Sequence, residues 1–155
     1  MRRTKPEPRV INPDVRYNNV PVSFFIHRIM KRGKKSLATR IMYDALDIVK
    51  EKSGKDPIEV LDQALKNVGP QMEVRPRRVG GATYQVPMEV PASRKMTLAM
   101  RWILDSATGR TGNSYAEKLS AEILEAANNT GNAVRKREET HKMAEANRAF
   151  SHFRM

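Results

Sequence analysis

Apolar side chains recur every three or four positions through most of the chain, and this spacing predicts a chiefly helical protein. The clearest segment covers residues 35–52. Its apolar stripe consists of Leu37, Ile41, Ala45 and Ile48. Gly54 follows the stripe and is typical of a helix C-terminus. We therefore predict a helix over 35–52 whose stripe faces the core.

A shorter helix is predicted before it, over about 20–32. Asn19 suits the N-cap, and Pro21 suits the first turn because a proline there loses no intrahelical hydrogen bond. Gly33 is expected to end this helix. Its apolar side is expected to consist of Phe25, Ile29 and Met30.

Residues 1–18 show no periodicity and contain three prolines, a composition that favours an extended, mobile arm. The basic residues at its start could suggest a targeting peptide. However, the prolines interrupt any amphipathic helix, and no apolar stretch follows. We expect an ordinary, uncleaved start and a protein of the cytosolic type.

Three signals mark the start of a third helix. Asp56 can accept amide hydrogen bonds as the N-cap, Pro57 fits the first helical position, and Glu59 completes a capping box. Gly69-Pro70 is expected to end the helix. The predicted buried stripe comprises Val60, Leu61, Ala64, Leu65 and Val68.

The segments 72–79 and 82–90 have a different character, since they are rich in Val, Tyr and Thr and flank Gly80-Gly81. This pattern predicts a β-hairpin with a tight turn. Pro76 and Pro87 cannot donate to a strand ladder, which excludes the centre of a larger sheet. We predict an arm that projects from the helical body and contributes little to the core.

Helical periodicity resumes over 94–107, where Trp102 is expected to belong to the core. The inward positions of this helix are predicted to be Met96, Ala99, Met100 and Ile103. The next helix, over 115–128, begins with a capping box formed by Ser114 and Glu117. Its inward positions are predicted to be Leu119, Ile123 and Ala126.

A last helix is predicted from Gly131-Asn132 to about residue 148. Its apolar stripe is thin and the rest of it is strongly charged, with Glu138 and Lys142 spaced to pair. We expect it to lie on the surface with one face left for a partner.

These patterns predict a mostly α protein, a single helical domain of about six helices with a protruding two-stranded β-ribbon arm. A length of 155 residues suits one domain. The predicted organisation is an extended basic N-terminal arm over 1–18 and a helical RNA-binding domain over 19–155, with the ribbon at 72–90.

Charge adds a functional indication, because 29 Lys and Arg face 17 Asp and Glu, a net charge of +12. Residues 1–35 hold ten basic and two acidic side chains, residues 74–95 hold five and one, and residues 132–155 hold six and three. The segments between them are nearly neutral. Such a distribution predicts a polyanionic partner, a nucleic acid or an anionic membrane surface. No apolar run approaches the ~20 residues that span a bilayer, and no membrane partner is expected.

The residues that carry chemistry in other proteins form no recognisable site. The chain has no cysteine, and its three histidines lack metal-ligand spacing, so neither a metal nor another cofactor is expected. Gly33-Lys34-Lys35-Ser36 resembles the end of a phosphate-binding loop, but Arg28 stands where that motif needs its first glycine. No nucleophile or paired carboxylate supports an enzyme.

The ribbon is the strongest candidate for nucleic-acid contact. Arg75, Arg77 and Arg78 crowd one strand, and Tyr84 offers a stacking face on the other. The ribbon is expected to lack acids that would compensate these charges. The alternative is a solvated hairpin whose charges protect its edges from pairing. The same choice between RNA contact and solvation applies to Lys34 and Lys35.

Four blocks of sequence resemble the universal small-ribosomal-subunit protein seven family, in its bacterial or organellar branch. They are Arg77–Pro87 (RRVGGATYQVP), Gly33–Ser36 (GKKS), Ala99–Trp102 (AMRW) and Lys136–Phe150 (KREETHKMAEANRAF). They stand in the family's order and spacing over nearly the whole chain.

The resemblance implies a structural constituent of the small ribosomal subunit. Such a protein binds the 3′ major domain of small-subunit ribosomal RNA and nucleates assembly of the subunit head. It lies near exit-site tRNA, mRNA, neighbouring head proteins and protein eleven of the subunit. The expected location is the ribosome, in a bacterial cytosol or a plastid stroma.

The resemblance and the charge distribution together give the predicted RNA-binding residues. By position in the family they are Lys34, Lys35, Arg75, Arg77, Arg78, Arg94 and Lys95. The termini and the ribbon add Arg2, Arg3, Lys5, Arg9, Tyr84, Arg135, Lys136 and Arg137.

Three places depart from the family pattern. Pro91-Ala92 replaces Arg-Pro, the loop 107–114 is less basic than usual, and the C-terminus lacks the common tryptophan. A different class of function also fits the ribbon and the basic arm, namely a DNA-binding architectural or regulatory protein. Cosedimentation with ribosomal subunits would separate the two.

Overall fold

Helices dominate the protein, as the apolar periodicity predicts. The structure, a computed structural model, describes residue 7 and residues 9–153. Over these residues the elements are α1 (Val20–Ile29), α2 (Lys35–Ser53), α3 (Pro57–Val68), β1 (Met72–Val79), β2 (Ala82–Glu89), α4 (Ala92–Thr108), α5 (Tyr115–Ala127), α6 (Asn132–Ala146) and a C-terminal 3-10 helix (Arg148–Phe153). The predicted fold class, mostly α with a two-stranded ribbon, is confirmed.

The chain divides into two compact units, Met1–Met42 and Tyr43–Met155, and helix α2 crosses from one to the other. The division predicted from the sequence, an arm over 1–18 and a domain over 19–155, stays a prediction. Among the described helices, none is both long enough and apolar enough to cross a membrane.

In the first unit, the end of the expected arm forms an ordered turn. Asp14 is buried, and its carboxylate accepts hydrogen bonds from the amides of Arg16 (3.0 Å) and Tyr17 (3.1 Å). The Asp14 amide donates to the carbonyl of Asn19 at 3.1 Å. An extended arm through residue 18 is therefore wrong for 14–18, because this aspartate closes the local backbone into a turn.

Helix α1 begins as predicted, since the Asn19 side chain accepts a hydrogen bond from the Val22 amide at 3.1 Å. It ends three residues earlier than expected, at Ile29. The backbone leaves the helical conformation at Met30 (ψ 126°), and Arg32 (φ 52°) and Gly33 (φ 73°) beyond it are left-handed. A helix cannot continue through such residues.

Helix α2 has the predicted bounds to within one residue, but its buried stripe differs. Leu37 is 48% exposed, and Ile41 and Ile48 are only half-buried. The buried positions are Ala38, Met42, Ala45, Leu46 and Val49. Two apolar stripes run side by side on this helix and share Ala45, so periodicity alone does not decide between them.

The second unit has its core between α3, α4 and α5. All five positions of the stripe predicted for α3 are buried, and the carboxylate of Asp56 caps the Ile58 amide at 3.1 Å. Ser114 caps α5 through the Glu117 amide at 3.2 Å. The predicted inward positions of α4 and α5 are buried except Met96, which is 42% exposed. Fully or nearly fully buried side chains here include Leu61, Val68, Met100, Ile103, Leu119 and Ile123.

Trp102 lies at the margin of this core rather than inside it. It is half-buried and lines, with Val74 and Met143, a groove of about 440 Å³ between α4, α6 and the ribbon. The expectation of a core tryptophan is therefore only partly met. Met143, which also lines this groove, is itself half exposed.

We expect Trp102→Ala to lower the free energy of unfolding by about 2 kcal/mol, less than the roughly 3–5 kcal/mol of a fully buried tryptophan. Equilibrium unfolding in urea measures this. Leu119→Ala is the matched control, since Leu119 is completely buried and its loss should cost about 2–5 kcal/mol. A loss above about 4 kcal/mol for Trp102→Ala would place the ring in the core after all.

The ribbon is an antiparallel pair with Arg77 opposite Tyr84 and Arg75 opposite Val86. Gly80 (φ 57°) and Gly81 (φ 89°) make the turn, whose two left-handed positions favour glycine. Val86 and Pro87 are buried, β1 packs against α6, and β2 packs against the C-terminal 3-10 helix. The expectation that the ribbon contributes little to the core is thus wrong at its base, because residues on both faces of the pleat are buried there. Residues 78–83, the ribbon tip, are exposed.

Candidate nucleic-acid interface

Residues 31–35, here called the basic turn, connect α1 and α2 and present four cationic side chains to solvent. Its backbone is held by hydrogen bonds from the Lys34 amide to the Lys31 carbonyl (3.1 Å) and from the Lys35 amide to the Gly33 carbonyl (2.9 Å). Lys31, Arg32, Lys34 and Lys35 are all exposed. A tight turn of this kind concentrates positive charge in a small area.

No acidic residue occurs between Val15 and Tyr43, whereas this stretch contains seven basic ones. Lys34 and Lys35 are among the contacts predicted from the sequence, and Lys31 and Arg32 are not. The long gap in acidic residues is the signal that would have found them. It leaves the positive field of the turn uncompensated by neighbours in the sequence.

The three ribbon arginines do not share one face. The register places Arg75 and Arg77 on the face of Tyr84 and Val86, and alternation along the strand places Arg78 on the other. The Arg78 side chain is exposed and makes no hydrogen bond or ion pair with any described residue. It is the ribbon arginine most available to an external anion.

Arg75 and Arg94 share one carboxylate. Glu73, which is 7% exposed, lies 2.5 Å from Nε of Arg75 and 2.8 Å from Nε of Arg94. The expectation that the ribbon lacks compensating acids is therefore wrong, since Glu73 stands two residues before Arg75 on the same face of the strand. Two guanidinium groups on one carboxylate still leave a net charge of +1, and both side chains remain partly exposed.

Tyr84, predicted as a stacking face for a base, has a ring partner within the protein. Its ring centroid lies 5.3 Å from that of Phe150 in the C-terminal 3-10 helix, with 47° between the planes. This tilted contact leaves Tyr84 half-buried. The partner is 66 positions away in the sequence, which no local pattern shows.

Helix α6 carries basic residues that are exposed and one, Arg137, that is bonded inside the protein. Arg135 is exposed, and Lys136 is exposed beside Glu139 at 3.5 Å. Glu138 lies 3.6 Å from Arg137, although its spacing predicts a pair with Lys142. These surface pairs contribute little to stability.

Arg137 is different because its guanidinium donates into the protein. It is bonded to the Asn67 carbonyl, and Nη1 also donates to Oδ1 of Asn129 at 3.0 Å. The Asn67 side chain donates in turn to the carbonyls of Ala126 (2.9 Å) and Ala127 (2.8 Å) at the end of α5. Asn67 and Arg137 therefore join α3, α5 and α6.

The remaining predicted contacts fall in three places. Lys95 is half-buried, and its aliphatic chain lies over Gly69, where an added Cβ would come within 2.8 Å of the Lys95 Cγ. Arg9 is exposed. Arg2, Arg3 and Lys5 lie outside the described residues.

The loop 107–114 contains one basic residue, Arg110, and this side chain is engaged internally. Its guanidinium bonds Glu122 and Glu125 of α5, and Nη1 lies 2.9 Å from Oε1 of Glu125. The hydrogen bond from Arg110 holds the pKa of Glu125 below its usual value. This loop therefore differs in kind from the basic turn, whose cations face solvent.

His141 holds the start of the ribbon to α6. Its Nε2 accepts a hydrogen bond from the Gln71 amide at 3.0 Å, which requires an unprotonated nitrogen. Burial lowers the pKa of His141, and the positive charges of Arg137 and Lys95 lower it further. Among the described residues, His, Asp and Glu form no cluster of three or more that could hold a metal ion.

We expect the stability of the protein to fall as the pH drops below about 6.5, the usual pKa of histidine. A histidine whose pKa is lowered by folding stabilises the fold above its unfolded value, and this contribution is lost as the pH falls through the folded value. Unfolding in urea at about pH 7.5 and about pH 5.0 measures the change. His141→Gln should reduce the difference between the two pH values, whereas His27→Gln, on the exposed face of α1, should leave it unchanged. Equal pH dependence in His141→Gln and the wild type would contradict this assignment.

Comparison with known proteins places the chain in a family. The family model for ribosomal protein S7p/S5e matches residues 1–148. The protein called small ribosomal subunit protein uS7 in Fervidobacterium nodosum is 58% identical over 154 residues, which cover 99% of both chains. Proteins of the same name in Thermomicrobium roseum and Prochlorococcus marinus (strain NATL1A) are 56% and 55% identical over 153 residues, 99% of this chain and 98% of theirs. The chain therefore belongs to the ribosomal protein S7p/S5e family, whose members are structural and not enzymatic components of the ribosome.

Proposed function

We propose that this small-subunit ribosomal protein binds ribosomal RNA through the basic turn, the ribbon tip and the exposed basic face of α6. The observation that carries the proposal is the set of exposed cations over residues 31–35, which have no acidic neighbours in the sequence from Val15 to Tyr43. Lysine and arginine side chains of this kind neutralise phosphates and release counterions, whatever the base sequence. The irregular folded RNA of a ribosomal subunit offers phosphates at many angles to such a surface.

The contribution of each predicted residue differs with its surroundings. Lys34, Lys35, Arg78 and Arg135 are exposed and suited to direct phosphate contact. Arg75 and Arg94 reach RNA as a pair held by Glu73, and the geometry of that pair is fixed before binding. Arg137, Lys95 and Tyr84 support the surface from within rather than forming its first contacts.

The RNA domain, assembly step and neighbours that we propose follow from the family resemblance. We propose that the protein binds the 3′ major domain of small-subunit RNA and helps nucleate assembly of the subunit head. Its ribbon would lie near exit-site tRNA and mRNA, with protein eleven and other head proteins as neighbours. The corresponding location is the ribosome of a bacterial cytosol or a plastid stroma.

A salt titration tests the RNA proposal. Neutralising about six phosphates predicts a slope of log affinity against log salt of about −4 or steeper, at roughly −0.7 per phosphate on RNA that is not a regular duplex. Filter binding to small-subunit ribosomal RNA between about 0.05 and 0.5 M KCl measures it. Duplex DNA of equal length is the control competitor. A flat slope would contradict the proposal, and equal affinity for the DNA would favour the architectural DNA-binding alternative.

A further inference from the structure

The C-terminal 3-10 helix follows α6 directly and packs against strand β2 of the ribbon. Helix α6 ends at Ala146, and the Asn147 amide (3.2 Å) and side chain (2.7 Å) both donate to the Met143 carbonyl. The Phe150 amide then donates to the Asn147 carbonyl at 3.0 Å. The asparagine thus stops the α-helix and starts a tighter turn.

This turn brings the Phe150 ring to Tyr84. Tyr84 stands directly opposite Arg77, and the six residues that join them, 78–83, are exposed. Val86, two residues along β2 on the same face, is completely buried. The Phe150 contact therefore supports the ribbon at the point where it leaves the body of its unit.

A two-stranded ribbon is only marginally stable in water without support from other elements. The position of the last supporting contact sets how many ribbon residues beyond it can move freely. When fewer residues move freely, the side chains of Arg77 and Arg78 can point in fewer directions before binding. The ribbon then loses less conformational entropy when RNA binds.

We propose that Phe150 is a positioning residue for RNA binding, which fixes the ribbon tip through Tyr84 without touching RNA. The inference rests on the proposed function, since it assumes that Arg78 in the tip and Arg77 just before it bind RNA. It gives the 3-10 helix, which the sequence did not predict, a role in recognition rather than only in closing the fold.

A double-mutant cycle tests the proposal on the full-length protein with small-subunit ribosomal RNA at about 0.15 M KCl. The variants are Phe150→Ala, Arg77→Ala/Arg78→Ala, and all three changes together. We expect Phe150→Ala to weaken binding about threefold to tenfold, the equivalent of one aromatic pair. In the Arg77→Ala/Arg78→Ala background, Phe150→Ala should weaken RNA binding by less than about twofold, because the arginines that Phe150 would position are then absent.

Two controls separate positioning from general stability. Phe150→Tyr retains the ring and should bind as the wild type does, and Ala149→Ser changes an exposed neighbour in the same helix. Hydrogen exchange should become faster at the amides of residues 78–83 in Phe150→Ala and stay unchanged in α3 and α5. Phe150→Leu provides a second truncation if the alanine variant does not fold.

Three outcomes would overturn the proposal. An additive loss in the triple variant would mean that Phe150 contacts RNA itself. Wild-type affinity of Phe150→Ala, together with weak binding of Arg77→Ala/Arg78→Ala, would mean that the tip needs no such support. Wild-type affinity of Arg77→Ala/Arg78→Ala would refute the proposed function of the tip, and the positioning role with it.

Discussion

Replacing Arg110 by methionine should lower the free energy of unfolding by about 3–5 kcal/mol at about pH 7, the usual cost of leaving one member of a buried ion pair alone. The Glu122 side chain is completely buried, and its Oε2 lies 2.5 Å from Nε of Arg110. Without the guanidinium, the only hydrogen bond that this carboxylate keeps among the described residues comes from the Ala133 amide at 2.8 Å. Equilibrium unfolding in urea, followed by circular dichroism, measures the loss.

Arg101→Met is the matched control, because Arg101 is an exposed arginine of α4 and the same charge is removed. It should change stability by less than about 0.5 kcal/mol. The double variant Arg110→Met/Glu122→Gln should recover a large part of the loss, since a neutral amide can still accept from Ala133. A loss below about 1 kcal/mol in Arg110→Met would show that the carboxylate is compensated from elsewhere.

Neutralising the basic turn should weaken binding to small-subunit ribosomal RNA by roughly a hundredfold or more at about 0.15 M salt. The variant combines Lys31→Gln, Arg32→Asn, Lys34→Gln and Lys35→Gln. Asparagine is chosen at position 32 because it tolerates the left-handed backbone there. Each neutralised phosphate contributes about −0.7 to the salt slope, so removing four cations should make that slope flatter by about 3.

The control for this variant removes the same charge from another place. Lys50, Lys52, Lys55 and Lys66 are exposed, and their part of the chain also contains acidic residues. Replacing these four by glutamine should leave affinity within about threefold of the wild type. Equal losses in the two variants would mean that net charge alone, and not the turn, determines binding.

Features set by neighbouring residues were predictable from the sequence. The caps Asn19, Asp56 and Ser114 accept the amide bonds expected of them, and Gly80-Gly81 makes the expected turn. Each depends on the chemistry of a few adjacent positions. The bounds of most helices and of the ribbon followed from the same local signals.

Features set by distant residues were not predictable in this way. Arg137 bonds a carbonyl 70 positions before it, and Tyr84 packs on a ring 66 positions after it. Both are predicted as RNA contacts on the basis of side-chain type. Residue type alone does not show whether a cation or an aromatic ring faces solvent or packs against a distant part of the protein. The shifted stripe of α2 has the same cause, since two apolar faces were available and only packing selected one.

The bonds made by Asn67 have a consequence for the order in which the nascent chain folds during its own synthesis. Its side chain holds the end of α5, and its carbonyl receives Arg137 of α6. Both Asn67 and Asn129, which Arg137 binds, have therefore left the ribosomal tunnel before Arg137 does. A platform of α3 and α5 can therefore assemble first, and α6 docks onto it afterwards.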